Sequence, residues 1–297
     1  MTADVKTVRT LISVTADWFT GRGVESAKLN AERLLADVLG LSRLELYMQY
    51  DRPVLGHELA SYREMVRRRG DGEPLQTILG ETEFYSCTFK VESGVFIPRP
   101  ETERLVEEVV AVLAPNDSRL LQPVAVEIGC GAGIIGIMLA LEVPRLTVWS
   151  VDINPQAVAL TERNARRHGV DSRLTTLTGS RFTPLPGHLR GKVDLLVSNP
   201  PYVRSGEIDE LDREVAEHDP REALDGGEDG LIFYRALASG LGEWLRPGGH
   251  LAVEIGEDQA AEVTDIFAAS GVVEVRTIQD YAGRDRIVRG QWPQQED

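Results

Sequence analysis

The first part of the chain carries apolar residues at spacings of three and four, the period of helices that bury one face. Helices are predicted on this basis over residues 5–19, 26–39, 43–49 and 57–69. Glycine and proline residues separate these stretches, because glycine weakens a helix and proline lacks the backbone N–H that a helix needs. Residues 1–82 are therefore predicted to form a small helical bundle domain.

The apolar period changes to two near Glu83. The alternation over Glu83–Val91 predicts a strand, and Ser93 and Gly94 supply a turn before Val95–Ile97. Residues 83–97 are therefore predicted to form a β-hairpin that links the helical domain to the rest of the chain.

Beyond Pro98 the pattern alternates between helix and strand. Helices are predicted over 101–113, 133–141, 155–168, 228–244 and 258–270, and strands over 123–128, 146–151, 173–178, 193–197, 249–255 and 272–279. Short apolar strands that alternate with helices are typical of an α/β domain, in which a mostly parallel sheet carries helices on both faces. Residues 98–297 are predicted to form this domain.

Composition narrows the classes of function. A formal net charge of −15 disfavours a broad nucleic-acid groove, because phosphate binding depends on clustered lysine and arginine. The simplest interpretation of the acidity is solubility, and the alternative is an electrostatic attraction to a basic protein partner. Apolar runs fall far short of the about 20 residues of a membrane-spanning helix, and the N-terminus lacks a signal-peptide pattern. A cytoplasmic protein without membrane contact is predicted.

Cysteine and histidine residues give no sign of a metal site. Cys87 and Cys130 are isolated thiols, which are expected to be reduced. The histidines do not occur at the spacing of metal ligands; they are His57, His168, His188, His218 and His250. No metal site is predicted.

A glycine-rich turn, Glu127–Gly133, follows the first apolar strand of the α/β domain and leads directly into a helix. Glycine allows a tight turn and a close approach to a ligand. Asp152 ends the next strand, where a carboxylate can accept both hydroxyls of a ribose, although it would also suit a helix cap. The two features together predict nucleoside binding.

The nucleoside is not fixed by these features, because Gly131–Gly136 also satisfies the G-x-G-x-x-G pattern of dinucleotide-binding dehydrogenases. The motif Asn199-Pro200-Pro201-Tyr202 distinguishes the two cases. It ends the fourth strand, so it is expected beside the nucleoside at the carboxyl edge of the sheet. A dehydrogenase has no use for such a segment there.

This motif suits the binding of a substrate –NH2 group. Consecutive prolines stiffen the turn. The Asn199 side-chain oxygen and the Pro200 carbonyl are able to accept both amide hydrogens, and Tyr202 is able to stack on a flat group. Since an amide nitrogen is a poor nucleophile, orientation is the expected source of rate. The alternative is a purely structural Pro-Pro turn at a strand end.

The Asn-Pro-Pro-Tyr motif after a glycine turn resembles that of amino-methyltransferases acting on adenine, cytosine or glutamine amides. Over residues 26–290 the chain resembles the family of bacterial peptide chain release factor N5-glutamine methyltransferases. The matching stretches are Glu73–Gly80, Ile97–Glu103, Asp219–Gly227, Leu245–Gly249 and Ala282–Arg286. The resemblance implies a Rossmann-like class I methyltransferase domain, the cofactor S-adenosyl-L-methionine and, as substrate, the glutamine in the Gly-Gly-Gln motif of release factors.

The resemblance also assigns roles to residues. Cofactor-binding residues are expected to be Glu127, Gly129, Cys130, Gly131, Ala132, Gly133, Asp152, Ser180, Arg181 and Asn199. Substrate-binding residues are expected to be Asn199, Pro200, Pro201 and Tyr202, of which Asn199, Pro200 and Tyr202 are the expected catalytic set. The helical domain is expected to recognise the release factor, because every chemical motif lies after Pro98 and leaves this domain without another evident task.

This sequence departs from the family pattern in several places. Glu127 stands where the family commonly has aspartate, Ser180 and Arg181 replace the usual adenine-contacting residues, and Leu211–Glu214 replaces a stretch where prolines are common. A paralogue that methylates an amide or amine of a small molecule or another protein is therefore an alternative. A catalytically idle adaptor is disfavoured by the intact Asn199–Tyr202 motif, and a nucleic-acid methyltransferase by the charge.

Overall fold

The structure is a computed structural model that describes residues 6–113 and 122–294. The chain forms two compact units. A helical unit comprises Met1–Glu81 together with Asp212–His218, and an α/β unit comprises Thr82–Leu211 together with Asp219–Asp297. The inserted segment 212–218 was not predicted. The start of the first predicted helix, at Val5, lies outside the described residues.

The helical unit contains the predicted helices and two further short helices, of which the second lies in the inserted segment 212–218. The bounds of the first five are α1 Val8–Thr20, α2 Ala27–Leu39, α3 Arg43–Met48, α4 Gly56–Gly70 and α5 Leu75–Leu79. The apolar faces meet in a core that includes the fully buried Phe19, Leu34 and Tyr62. Helix α3 begins with a capping box, in which Ser42 and Glu45 satisfy each other's backbone N–H groups.

A two-stranded sheet follows, with strands β1 Glu81–Phe84 and β2 Cys87–Lys90. The hairpin is confirmed, but its strands are joined by a turn at Tyr85, where φ is 50°, whereas the predicted turn at Ser93-Gly94 is present and does not join two strands. The Tyr85 amide donates to Glu103 Oε1 at 2.8 Å. This contact joins residues 18 positions apart, so local pattern did not reveal it. Val95–Ile97 is not a strand.

The α/β unit contains a sheet of seven strands. Its strands are β3 Val124–Ile128, β4 Thr147–Asp152, β5 Leu174–Thr178, β6 Val193–Ser198, β7 Leu245–Glu254, β8 Val273–Gln279 and β9 Asp285–Gln291. The order is β5-β4-β3-β6-β7-β9-β8. Strands β3 to β7 pair in parallel, whereas β9 pairs antiparallel with both β7 and β8. Strand β9 was not predicted.

Helices cover both faces of this sheet, which confirms the predicted Rossmann-like class. The helices that follow β2 in the chain are α6 Thr102–Leu113, α7 Ile134–Glu142, α8 Pro155–Arg167, α9 Arg213–His218, α10 Arg221–Leu224, α11 Ile232–Ala238, α12 Leu241–Trp244 and α13 Ala260–Ala269, and all of them except α9 belong to the same unit as the sheet. Adjacent residues of β3 point to opposite faces. Ala125 joins the core formed with α6, α7 and α8, and Val126 joins the core formed with α11, α12 and α13.

The single helix predicted over 228–244 is wrong in detail, because α11 and α12 are separated at Gly240. A Cβ at Gly240 would lie 2.3 Å from the Phe182 ring, so only glycine fits this close approach. Helix α9 belongs to the helical unit, where Glu214 pairs with the buried Arg69 of α4 at 2.6 Å. Within the described ranges, no helix is both long and apolar enough to cross a membrane.

Gly136 provides a test of how α7 packs on the sheet. An added Cβ would lie 2.5 Å from Glu127 Oε2 and 2.7 Å from Ser150 Oγ, both of which are buried. We expect Gly136→Ala to lower the free energy of unfolding by about 1–3 kcal/mol, the usual cost of overpacking. Chemical denaturation measures this change. Gly206→Ala is the control, because Gly206 has no neighbour within 4 Å, and a change there should stay within about 0.5 kcal/mol. Equal effects of the two substitutions would contradict this account of the packing.

Candidate active site

The glycine turn lies at the carboxyl end of β3, where the chain crosses to α7. Gly129, Gly131 and Gly133 have φ values of 77°, 54° and 80°, a region that other residues rarely adopt. The Gly129 amide donates to the Val151 carbonyl at 2.8 Å, which holds the turn against the end of β4. Gly129 and Gly131 remain partly exposed, so their backbone is accessible to a ligand beyond the strand ends.

Cys130 and Ala132 lie within the turn and are buried. The Cys130 sulfur lies 3.4 Å from Thr161 Oγ1, and burial raises the pKa of the thiol well above its ordinary value. A thiol that stays protonated is a weak nucleophile. Both residues therefore shape the turn through packing and backbone.

Asp152 ends β4 beside the glycine turn. Its Oδ2 accepts the Gly131 amide at 2.9 Å, and its Oδ1 accepts the Asn154 amide at 2.8 Å. Each carboxylate oxygen retains a further lone pair for a ligand hydroxyl. Helix α8 has its own N-cap in Asn154, whose side chain accepts the Gln156 amide at 2.9 Å. This arrangement favours ribose binding by Asp152 over the alternative role of helix cap.

Glu127 lies buried beneath the turn at the end of β3. Its Oε2 accepts the Ser150 hydroxyl at 2.6 Å, and burial raises the pKa of the carboxyl to about 8. Its Oε1 is buried without a hydrogen-bond partner among the residues that the structure describes. An unpaired buried oxygen is costly. A cationic ligand group above the turn would lower this cost, which fits the predicted role of Glu127 toward the cofactor.

Asn199 follows β6, the strand next to β3. The Ser198 hydroxyl donates to the Ile128 carbonyl at 2.6 Å and joins the ends of the two strands. A Cβ at Gly129 would lie 3.8 Å from the Asn199 carbonyl oxygen, so the two motifs are in close proximity. The structure therefore brings the glycine turn and the Asn-Pro-Pro-Tyr motif to one edge of the sheet.

The Asn199 side chain is held by residues that were not predicted. Its Nδ2 donates to Thr102 Oγ1 at 3.2 Å, and this hydroxyl donates to Glu254 Oε2 at 2.7 Å. Thr102 begins α6 and Glu254 ends β7. The only sequence signals for them were the position of Thr102 within the stretch Ile97–Glu103 and the single acidic residue at the end of an apolar strand.

Pro200 is buried, whereas Pro201 and Tyr202 are partly exposed. The Tyr202 hydroxyl lies 3.5 Å from Glu254 Oε1, and its carbonyl accepts the Gln259 side-chain amide at 2.9 Å. Burial raises the pKa of the Tyr202 phenol, which therefore stays protonated. Tyr202 is fixed at both its backbone and its hydroxyl, and the residue remains partly exposed.

Gly226 and Gly230 pack against the backbone of Tyr202, and the sequence pattern predicted no role for them. A Cβ at Gly226 would lie 2.9 Å from Tyr202 Cα, and a Cβ at Gly230 would lie 2.6 Å from the Tyr202 carbonyl oxygen. The Gly226 amide donates to the Val203 carbonyl at 2.8 Å. These close approaches explain the glycines after Asp225.

Ser180 and Arg181 follow β5 at the same edge as Asp152. The Gly179 amide donates to the Asp152 carbonyl at 2.9 Å and places the pair there. Arg181 is exposed with φ 51°, and Ser180 is partly buried. Ile153 was not predicted, yet its side chain is 67% exposed beside Asp152, where an apolar surface suits a flat base.

Arg99 connects the segment before α6 to the segment after the motif. Its Nη2 donates to the buried Asp219 Oδ2 at 2.5 Å, and its guanidinium lies 5.4 Å from the centre of the Phe96 ring. The matching stretches that contain Arg99 and Asp219 are therefore partners in space. Over residues 6–113 and 122–294, no cluster of His, Cys, Asp or Glu is arranged to hold a metal ion.

The residues present fit S-adenosylmethionine. The positive-φ cradle of Gly129 and Gly131 admits a ligand backbone, Asp152 offers acceptors to a ribose, and Glu127 carries an unpaired buried oxygen. The glycine cradle matches the amino-acid part of that molecule, and Asp152 matches its ribose. The unpaired oxygen of Glu127 matches its positive charge. Asn199 stands next to the cradle, where a methyl acceptor has to lie.

Comparisons with known proteins agree with this chemistry. Residues 11–80 match the family model of the PrmC N-terminal domain, and residues 87–238 match the methyltransferase small domain. The release factor glutamine methyltransferase of Geobacter sulfurreducens is 43% identical over 97% of each chain. That of Moorella thermoacetica is 40% identical over 89% of this chain and 91% of its own.

The fold has a counterpart among solved structures. A methyltransferase from Pyrococcus furiosus has a TM-score of 0.50 and 17% identity, covering 70% of this chain and 90% of that one. This likeness concerns the fold alone.

Asp152 gives a test of the cofactor site. We expect Asp152→Ala to weaken binding of S-adenosylmethionine by about 1.5–3 kcal/mol, the value of a charge-assisted hydrogen bond. Titration calorimetry measures the affinity, and Asp171→Ala, an exposed carboxylate in the turn before β5, is the control. Tight binding of a nicotinamide dinucleotide together with no binding of S-adenosylmethionine would contradict the assignment.

Proposed function

The chain belongs to the release factor glutamine methyltransferase family, and on this premise we propose that it methylates the side-chain amide nitrogen of a release factor glutamine. The methyl donor is S-adenosylmethionine, and the target is the glutamine of the Gly-Gly-Gln motif. The observation that carries the proposal is the position of Asn199 next to the glycine turn, with its Nδ2 engaged by Thr102.

The target amide has two N–H hydrogens, and the site offers two acceptors for them. Within the described residues, Asn199 Oδ1 accepts no hydrogen bond, and the adjacent Pro200 carbonyl belongs to a turn stiffened by two prolines. Holding both hydrogens fixes the plane of the amide and the direction of its nitrogen. The ring of Tyr202, a partly exposed residue, provides a surface for that plane.

Orientation is the main contribution of these residues to rate. S-adenosylmethionine supplies an activated methyl group on a sulfonium, so the chain has to supply position rather than activation. The amide lone pair is delocalised, and the acceptors on both hydrogens hold it toward the methyl side. Near-attack positioning of this kind contributes up to about 7–11 kcal/mol in favourable cases.

Recognition of the release factor is assigned to the helical unit. Its helix α3 carries Leu44 and Met48, whose side chains are 71% and 78% exposed, on one face together with Tyr47. Neighbouring exposed apolar residues are typical of interaction surfaces. The net charge of −15 favours encounter with a basic partner surface.

The alternative, a paralogue that acts on a small molecule or another protein, predicts a different reaction. The relatives named above match this chain along nearly its whole length, including the helical region at residues 11–80. This similarity supports a release factor as the substrate. Labelled methyl transfer to purified release factors, followed by mapping of the label to one glutamine, tests the proposal. Label on a small molecule alone would refute it.

Asn199→Ala is expected to lower the single-turnover rate of methyl transfer by about 10²-fold, because the target amide loses an oriented acceptor. Cofactor affinity and thermal unfolding should change little, since the proline turn remains. Gln279→Ala, which removes an exposed side-chain amide on β8, should keep the wild-type rate. Asn199→Asp should also be impaired, because its charge attracts the sulfonium. A near-wild-type rate for Asn199→Ala would show that other residues hold the amide.

Leu44→Ser combined with Met48→Ser tests the recognition surface. Loss of two exposed apolar contacts should raise the apparent KM for the release factor by at least tenfold, because tenfold is about 1.4 kcal/mol, the value of fewer than two buried CH2 groups at roughly 0.8 kcal/mol each, and it should leave cofactor affinity unchanged. Steady-state kinetics measures both constants. Val273→Ser, at an exposed apolar position of β8, is the matched control. An unchanged KM for the double variant would remove this surface from recognition.

A further inference from the structure

A chain of hydrogen bonds runs from the end of β7 to the Asn199 side chain. Glu254 Oε2 accepts the Thr102 hydroxyl at 2.7 Å, and Thr102 Oγ1 accepts Asn199 Nδ2 at 3.2 Å. Thr102 is 3% exposed and Glu254 is 1% exposed, so solvent does not replace either partner. These three residues come from α6, β7 and the end of β6.

The direction of each hydrogen bond is set by the chemistry of its partners. An ionised carboxylate only accepts, so Thr102 has to direct its single hydroxyl hydrogen to Glu254. The hydroxyl oxygen is then left with lone pairs only and has to accept from its other neighbour. Asn199 satisfies it with the –NH2 end of its amide, which turns Oδ1 away from Thr102. The polarity of the whole chain therefore follows from one negative charge.

We propose that Glu254 and Thr102 act as positioning residues that fix the orientation of the Asn199 amide, so that Oδ1 rather than Nδ2 faces the target amide. This inference rests on the proposed function, because it concerns the same methyl transfer. A reversed Asn199 amide would present donors to a target that is itself a donor. We call the hydrogen-bond chain from Glu254 through Thr102 to Asn199 the relay. It excludes an unproductive orientation of the Asn199 amide without touching the substrate.

The surroundings of Glu254 affect how readily it keeps its charge. The pKa of this carboxyl is raised to about 7, chiefly by burial and to a smaller extent by Glu101, against the lowering effects of Thr102, Arg286 and Tyr202. The Tyr234 hydroxyl donates to the main-chain carbonyl of Glu254 at 3.0 Å and leaves the carboxylate to the relay. Arg286 is in turn paired with Asp280 at 3.4 Å.

Protonation of Glu254 removes the constraint. A neutral carboxyl is able to donate to Thr102, whose hydroxyl is then free to donate to Asn199 Oδ1. Because the pKa of Glu254 is raised, the ionised and ordered form predominates above about pH 7 and is lost as the pH falls below it. Turnover should follow the ionised form.

The first experiment changes the hydroxyl. Thr102→Val preserves shape but removes the relay, and we expect kcat for release factor methylation to fall by about 10- to 100-fold with little change in KM. Thr102→Ser restores a hydroxyl and should restore kcat to within about threefold of the wild type. Thr82→Val, at a buried threonine of β1, is the matched control and should keep the wild-type kcat. Thermal unfolding and cofactor affinity establish that each variant is folded.

The second experiment changes the charge. The kcat/KM of the wild type should be about tenfold lower at pH 6 than at pH 8, the ratio of ionised fractions for a pKa near 7. Glu254→Gln has an oxygen that accepts from Thr102 at every pH, so its profile should lose this acidic limb. Glu254→Leu should be slow throughout the range. Each profile is measured on the same release factor, so titration of the substrate cancels in the comparison.

The outcomes separate the relay from the proposed function. Wild-type protein that fails to methylate any release factor refutes the proposed function. Wild-type protein that methylates while Thr102→Val retains full kcat refutes the relay and leaves the function standing. A Glu254→Gln profile with the wild-type acidic limb shows that another group titrates, and it also refutes the relay. Slow Thr102→Val rescued by Thr102→Ser, together with a flat Glu254→Gln profile, supports it.

Discussion

The parallel pairing of β3 with β6 is the constraint on which the site depends. Glu127 is in register with Val197, so the residues two positions further along, Gly129 and Asn199, leave the sheet side by side. The Ser198 hydroxyl donates to the Ile128 carbonyl at 2.6 Å and holds the ends of the two strands together. The glycine turn and the Asn199–Tyr202 motif are thereby joined through the buried backbone of two adjacent parallel strands.

This edge of the sheet lowers the stability of the fold, because two carboxyl groups are buried there. Glu127 and Glu254 both lie under the carboxyl edge, with pKa values raised by burial to about 8 and about 7. A carboxyl whose pKa is raised in the folded state lowers the stability of that state once the group ionises. For Glu254 the penalty is absent below its ordinary pKa of 4.5, grows between that value and about 7, and reaches about 3 kcal/mol above it. Such a penalty is typical of functional sites.

Sequence predicted those parts of the site that are contiguous in the chain. The glycine turn and Asn199–Tyr202 are short motifs whose chemistry depends on backbone geometry, and alternation of elements placed both at one sheet edge. Thr102 and Glu254 were not predicted, because they are 152 residues apart and neither belongs to a motif with a recognised chemical role. Strand β9 escaped because its consecutive buried Ile287 and Val288 break the alternation that marks a strand. The insertion at 212–218 escaped because it belongs to the helical unit through distant contacts such as Arg69 with Glu214.

Asn199 is neutral, and the charged residue Glu254 lies behind it. This arrangement keeps a negative charge away from the position proposed for the sulfonium. A carboxylate placed on the target amide would accept hydrogen bonds more strongly than Asn199. It would also attract the sulfonium, and because positive charge on sulfur disperses during methyl transfer, that attraction would stabilise the ground state more than the transition state. In the proposed mechanism, Asn199 supplies the acceptor without this penalty. In the proposed hydrogen-bond chain, Glu254 supplies the charge that orients Asn199 from two hydrogen bonds away, and Arg286 compensates part of that charge within the protein.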